Sequence, residues 1–208
     1  RAIEKTIFFI SVAIFPMLVG MSVFIDPLTH VVPSYEKLQP TIPTFILFTL
    51  SIGWAAISTP LTNTLNAMGD IDITMKLMIM WTTLTWLMTP FFLNWFGFEG
   101  VALAAFIIAL TSVIPVFIVQ KKLPVKIWQQ VWQPFVAAAL MAFVAVILLP
   151  LWRESLWHML GGMVLTGLVY VFTLLVIAWK KLIHEALSLI RGKPQFEVIR
   201  VQLQRLVA

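Results

Sequence analysis

The chain has 208 residues, 61% of them hydrophobic and 11% charged, with a formal net charge of +5 and a mean hydropathy of +0.98. Soluble domains are about 45–50% apolar and about 25% charged, so this composition excludes an ordinary soluble domain and a disordered chain and places the protein in a lipid bilayer. The absence of cysteine excludes disulfides and thiol catalysis. The chain begins at Arg1, in the flank of an apolar segment, and reads as a piece of a longer protein or a processed chain. The first apolar run is one of several and lacks a cleavage-site pattern, so no cleavable signal is expected.

A helix rises 1.5 Å per residue, so about 20 apolar residues cross a hydrocarbon core of about 30 Å. Six stretches qualify in chain order: Thr6–Ile25, Thr44–Leu61, Leu77–Phe96, Val101–Val119, Pro134–Leu151 and Met159–Trp179. None holds a Lys, Arg, Asp or Glu in its interior; each such charge costs roughly 2.5–3.5 kcal/mol at a helix centre. Barrel strands alternate apolar and polar over about 10 residues, whereas these runs are apolar on every side. The expected class is therefore all-α, a polytopic transmembrane helix bundle with six spans.

Punctuation separates the spans. Asp26-Pro27 is expected to end the first, with Pro33, Pro40 and Pro43 keeping the next stretch irregular. Asn66 to Asp72 joins the second and third. The four residues Gly97-Phe98-Glu99-Gly100 make so short a link that the third and fourth spans should form an antiparallel hairpin. Lys121-Lys122-Leu123-Pro124 closes the fourth span, and Trp152-Arg153-Glu154-Ser155 divides the fifth from the sixth. No fixed repeat period is visible.

Direction follows from Lys and Arg. With this connectivity, Arg1, Lys5, Lys76, Lys121, Lys122, Lys126, Lys180, Lys181, Arg191, Lys193, Arg200 and Arg205 fall on one side, and only Lys37 and Arg153 on the other. The basic side should be cytoplasmic, which puts both ends of the chain inside. Topology and anionic lipid headgroups account for the basic excess. No aromatic–basic groove pattern is present, so no nucleic-acid partner is expected. Trp95, Trp128, Trp132, Trp152, Trp157 and Trp179 lie at span ends and are expected to anchor at the interface. Trp54, Trp81 and Trp86 sit deeper, where packing, lipid contact or the lining of a path are the alternatives. From Leu182 the tail is amphipathic, with Phe196, Ile199, Leu203 and Leu206 on one helical face. It is expected to lie on the cytoplasmic leaflet, with a partner-docking helix as the alternative.

Catalytic groups do not converge. His30 and His158 are expected on one side and His184 on the other, so they cannot share a metal. There is no Gly-rich phosphate loop and no Ser-His-Asp order, so neither enzyme activity nor a cofactor is expected. What the membrane segments do contain is proline. Pro16, Pro60, Pro90 and Pro115 each remove a backbone donor inside a span, and transport proteins use such breaks as hinges or cavity walls. Thr49, Ser51, Thr82, Thr83, Thr85 and Ser112 could offer hydroxyls to a cavity or bond their own helix carbonyls. Gly161, Gly162 and Gly167, like Gly97, Gly100, Ala102, Ala104, Ala105 and Ala109, permit close helix contact.

The order of these features is more specific than any one of them. The second span ends in Pro60-Leu61-Thr62-Asn63-Thr64-Leu65-Asn66-Ala67-Met68-Gly69-Asp70; after Lys76 and an apolar span comes Trp95-Phe96-Gly97-Phe98-Glu99-Gly100-Val101-Ala102-Leu103-Ala104. This pair resembles the C-terminal half of polysaccharide flippases of the multidrug/oligosaccharidyl-lipid/polysaccharide exporter superfamily. There a helix ends in Leu-x-Ala-x-Gly and a later link reads apolar-Gly-x-x-Gly-x-Ala-x-Ala. The matching positions are Leu65, Ala67 and Gly69, then Gly97, Gly100, Ala102 and Ala104. Pro33-Ser34-Tyr35 departs from the family's outer loop.

The resemblance covers roughly residues 1–123 and implies a fold of two six-helix lobes around a central cavity. Residues 1–123 would then be a four-helix part of the C-terminal lobe, 124–180 two additional transmembrane helices, and 181–208 the cytoplasmic tail. It implies a multi-pass protein of a prokaryotic cytoplasmic membrane that flips a lipid-linked oligosaccharide by alternating access. Its partners would be membrane lipids, that glycan substrate and the helices of the other lobe. The family's cationic substrate residues lie largely on those other helices, so no substrate residue carries over to this chain. The alternatives are a multidrug exporter of the same superfamily and a non-transporting membrane scaffold.

Overall fold

The computed structural model describes residues 2–190, and among them every regular element is helical. In lipid the backbone has no water to bond, so long apolar runs satisfy their own amides as helices. Helix α1 spans Ala2–Val31 and continues through both Pro16 and Pro27. The stop expected at Asp26-Pro27 therefore does not occur. The hydroxyl of Thr29 donates to the Asp26 carbonyl at 2.8 Å, and His30 Nδ1 lies 2.9 Å from the same oxygen. The stretch expected to be irregular is a 3-10 helix, Pro33–Thr41; the fixed φ of proline, about −65°, suits that geometry.

Helix α2, Ile42–Ala67, and α3, Ile71–Phe96, are joined by a tight turn. The amide of Gly69 bonds the Asn66 carbonyl at 3.0 Å and that of Asp70 bonds the Leu65 carbonyl at 2.9 Å. This is a Schellman cap, and its left-handed residue is Gly69 at φ +84°. Gly97, at φ +60°, is the sole residue between α3 and α4, Phe98–Leu110. The expected fourth span is not one helix: α4 stops, Thr111 and Ser112 turn, and α5 runs over Val113–Lys122. Helix α6 is Ile127–Ile147, α7 the single turn Leu149–Trp152, and α8 Leu156–Ile190. Helix α8 runs without a break past residue 181; the tail residues Phe196, Ile199, Leu203 and Leu206 lie outside the described residues.

Among the described residues, five stretches are long and apolar enough to cross a membrane: Ile3–Val31, Pro33–Ala67, Phe98–Lys122, Ile127–Ile147 and Leu156–Trp179. Helix α3 is 26 residues long and is not among the five; Thr82, Thr83, Thr85, Thr89 and Asn94 are interspersed with its hydrophobic residues. Between 22% and 33% of each apolar window is buried inside the protein. Water would penalise so much exposed apolar surface, whereas lipid does not.

Helix α1 is the hub, packed by α2 on one side and by α6 and α8 on the other; α4 lies against both α2 and α3. Ile7, Leu61, Leu65, Leu77, Val119, Ile127 and Val131 form one core. Phe8, Met141, Tyr170 and Leu174 anchor a second along α1, α6 and α8. Contacts between distant residues define the two ends of the bundle. At one end Lys122 pairs with Asp70, the Lys126 amide bonds Glu4, and Lys181 bonds the Gln129 carbonyl at 3.1 Å while lying over the Phe8 ring. At the other, Arg153 pairs with Asp26 at 2.7 Å. Lys122, Lys126 and Lys181, three of the basic groups expected on one side, thus lie at one end.

Trp152 corrects an expectation. It is 6% exposed and its indole donates to the Ala145 carbonyl at 3.0 Å. Its ring packs beside Phe24 and against Gly162, where an added Cβ would sit 2.6 Å from it. Gly161 and Gly167, expected to mediate contact, have open space around them.

Candidate functional site

The side chains of α2 that face α3 and α4 are mostly small and hydroxylated. Ser51, Ala55, Ser58, Thr59 and Thr62 recur every three or four residues and so form one stripe. Opposite them on α3 stand Trp81, Thr85 and Thr89, again at a spacing of four. Ala105, Ile108, Ala109 and Ser112 of the α4–α5 segment close the third wall. Together they bound a groove of about 570 Å³. No lining side chain is ionisable. The stripe runs through the middle of each helix, and the turn at Thr111 and Ser112 falls after the thirteen residues of α4 and before the ten of α5. The groove therefore lies at mid-depth, beside a broken helix.

Most of the hydroxyls are held. Ser51 donates to the Leu47 carbonyl and Thr59 to Ala55, both at 2.8 Å; Ser58 donates to Ala55 at 3.1 Å, Thr62 to Thr59 at 2.9 Å and Thr85 to Trp81 at 2.8 Å. A hydroxyl that donates to its own helix still has lone pairs with which to accept. Five of the lining hydroxyls thus present acceptors to the groove, and the Trp81 indole is its one aromatic N–H.

The break in the α4–α5 segment has a local cause. Pro115 has no amide to give to the Thr111 carbonyl, four residues back. The Ile114 amide takes that carbonyl instead, at 2.9 Å, and the Thr111 and Ser112 amides bond three residues back at 3.0 Å. The other expected hinges sit in continuous helix. Pro60 lies in α2 next to Thr59, and Pro90 in α3 next to Thr89, so both flank the groove. Pro16 is pinned from outside its helix: it deprives the Val12 carbonyl of an amide, and the hydroxyl of Tyr170 on α8 donates to that carbonyl at 2.8 Å.

Of the hydroxyl residues singled out in the sequence, Ser51, Thr85 and Ser112 line the groove. Thr49 is buried and bonds the Phe45 carbonyl at 2.8 Å. Thr82 and Thr83 face a second groove, of about 640 Å³, beside Asn66, Met75 and Met78. Sequence reasoning missed Ser58, Thr59, Thr62 and Thr89, although their three- and four-residue spacing carried the signal. The motif positions do backbone work instead of lining the groove. Leu65 is fully buried and supplies the cap carbonyl, Ala67 ends α2 on the surface, and Gly69 takes the left-handed turn. Gly100, Ala102 and Ala104 are buried on α4. A Cβ on Gly100 would lie 2.0 Å from the Phe92 carbonyl oxygen of α3. Among the described residues, no cluster of three His, Asp or Glu could hold a metal. The chain matches no protein-family model, no curated protein and no solved structure.

Proposed function

We propose that this chain belongs to a transporter that moves a lipid-linked oligosaccharide across the cytoplasmic membrane of a prokaryote by alternating access. The observation that carries the reading is the hydroxyl-lined groove at mid-depth beside the broken α4–α5 segment. Irregular backbone is tolerated within a membrane where it lines a cavity, and transporters bind their cargo there. A row of uncharged hydroxyls with an indole donor suits the hydroxyls of a sugar. The turn motifs at Leu65–Gly69 and Gly97–Ala104 support the same family reading. In this proposal α3 also crosses, third in chain order and bringing the crossings to six, the end carrying Lys122, Lys126 and Lys181 faces the cytoplasm, and a second lobe covers the groove. That lobe supplies the cations that meet the substrate's pyrophosphate, because an unpaired charge in an apolar cavity costs many kcal/mol.

The test is reconstitution of the full-length protein in vesicles loaded with a fluorescent lipid-linked oligosaccharide on one leaflet. Substrate should reach the opposite leaflet, and Ser58→Val combined with Thr62→Val should slow its transfer while leaving the protein folded. Transfer no faster than in protein-free vesicles rejects the proposal.

A further inference from the structure

Trp81 differs from the hydroxyls around it. Its Nε1–H donates at 3.0 Å to the hydroxyl of Thr111, at the point where α4 breaks. Thr111 in turn donates its hydroxyl proton to the Ile108 carbonyl at 2.6 Å. The indole has one N–H. Any oxygen in the groove that accepts it takes it away from Thr111. Beyond the break, α5 packs on α2: Val119, fully buried, shares one core with Leu61 and Leu65. The far end of α5 is tied to the α2–α3 turn through Lys122 and Asp70. Helix α5 is thus a ten-residue arm with a proline-weakened joint at one end, an exposed ion pair at the other, and a side-chain bond across the joint to the groove wall.

We propose that Trp81 reads the occupant of the groove. An uncharged, oxygen-rich ligand accepts a hydrogen bond from the indole N–H, frees Thr111, and lets α5 pivot at Thr111–Ser112 so that Val119 lifts from Leu61 and Leu65. A ligand with no acceptor cannot compete for that proton, so Trp81 also selects for oxygen acceptors. The inference rests on the groove being the substrate path proposed above. Trp81 here is a ligand-contacting and positioning residue, and α5 is the element it controls.

The chain has no cysteine, so Val119→Cys in the full-length protein gives a single reporter. Its rate of reaction with N-ethylmaleimide in nanodiscs reads the lifting of α5. Trp81→Phe keeps an aromatic side chain, smaller than the indole, and removes the donor, and Thr111→Val removes the acceptor from the other side. Each should raise the rate about fivefold, equivalent to about 1 kcal/mol for a neutral hydrogen bond. Thr111→Ser keeps the hydroxyl and should label as the parent does, as should Trp86→Phe, whose ring is 73% exposed. A polyprenyl-diphosphate-linked disaccharide in the nanodisc should raise the parent's rate and leave that of Trp81→Phe unchanged. Equal labelling of the parent, Trp81→Phe and Thr111→Val overturns the inference, and so does a parent rate that ignores the disaccharide lipid. If the labelling responds as expected but vesicles move no lipid, the transport reading fails and the Trp81 coupling stands.

Discussion

Gly100→Ala adds one methyl group at the place where α4 touches the backbone of α3. The added Cβ would lie 2.0 Å from the Phe92 oxygen, 2.4 Å from the Phe92 carbonyl carbon and 3.0 Å from the Leu93 nitrogen. Ordinary contact begins near 3.4 Å, so the helices must separate by roughly 1.4 Å. The obstacle is backbone, which cannot rotate aside as a side chain can. Ala102 and Ala104, both fully buried on the same helix, would have to lift with it. Overpacking typically costs about 1–3 kcal/mol, and a rigid obstacle places this case at about 3 kcal/mol or above. Gly20 is the control. It lies inside α1 with nothing within 4 Å of its added Cβ, so alanine there should stabilise by about 0.4–1 kcal/mol. The two alanine variants should therefore differ by about 4 kcal/mol, read as loss of the monodisperse size-exclusion peak on heating a fluorescent fusion in detergent. Leucine at each position should widen the gap in folded membrane yield. If Gly100→Ala tolerates heating as well as Gly20→Ala, the close α3–α4 approach is wrong.

Other consequences are as direct. Tyr170→Phe leaves the Val12 carbonyl without its donor and should cost about 1–3 kcal/mol. Pro16→Ala supplies the missing amide, so in that background the same change should cost little, and equal costs in both backgrounds would contradict the pinned-proline account. For topology, single cysteines replacing His30, Phe98 and Ser155 should react with an impermeant maleimide applied outside intact cells, and those replacing Asp70, Pro124 and Lys193 should not. Labelling at Pro124→Cys would sink the arrangement with both ends inside.

Hydrophobic length made the helical class legible in the sequence, because it is a property of single segments. The Gly97–Gly100 link was equally legible, since so few residues between two apolar runs leave only a hairpin. What escaped the sequence depended on partners far along the chain or on competition within one turn. Pro16 reads as a hinge until Tyr170, 158 residues after Val12, caps the carbonyl it frees. Pro27 reads as a stop, yet α1 runs through it to Val31. Trp152 sits at a span end like the exposed Trp128 and Trp157, and only the α7 turn and the bare face at Gly162 bury it. Within the groove, Ser51, Thr85 and Ser112 stood out as hydroxyls in apolar runs. Ser58, Thr59 and Thr62 needed the helical spacing of α2 to be seen as the same stripe. The part of Trp81 became visible only when α3 and the break after α4 came together in space.

The central claim is that this protein carries a lipid-linked oligosaccharide from the inner to the outer leaflet. Deletion of its gene in the host, with no redundant transporter present, tests that most directly when lipid-linked precursors are quantified by leaflet. The account predicts that one precursor accumulates on the cytoplasmic face and that the intact gene restores its export. A precursor pool of unchanged size and sidedness after deletion would contradict it.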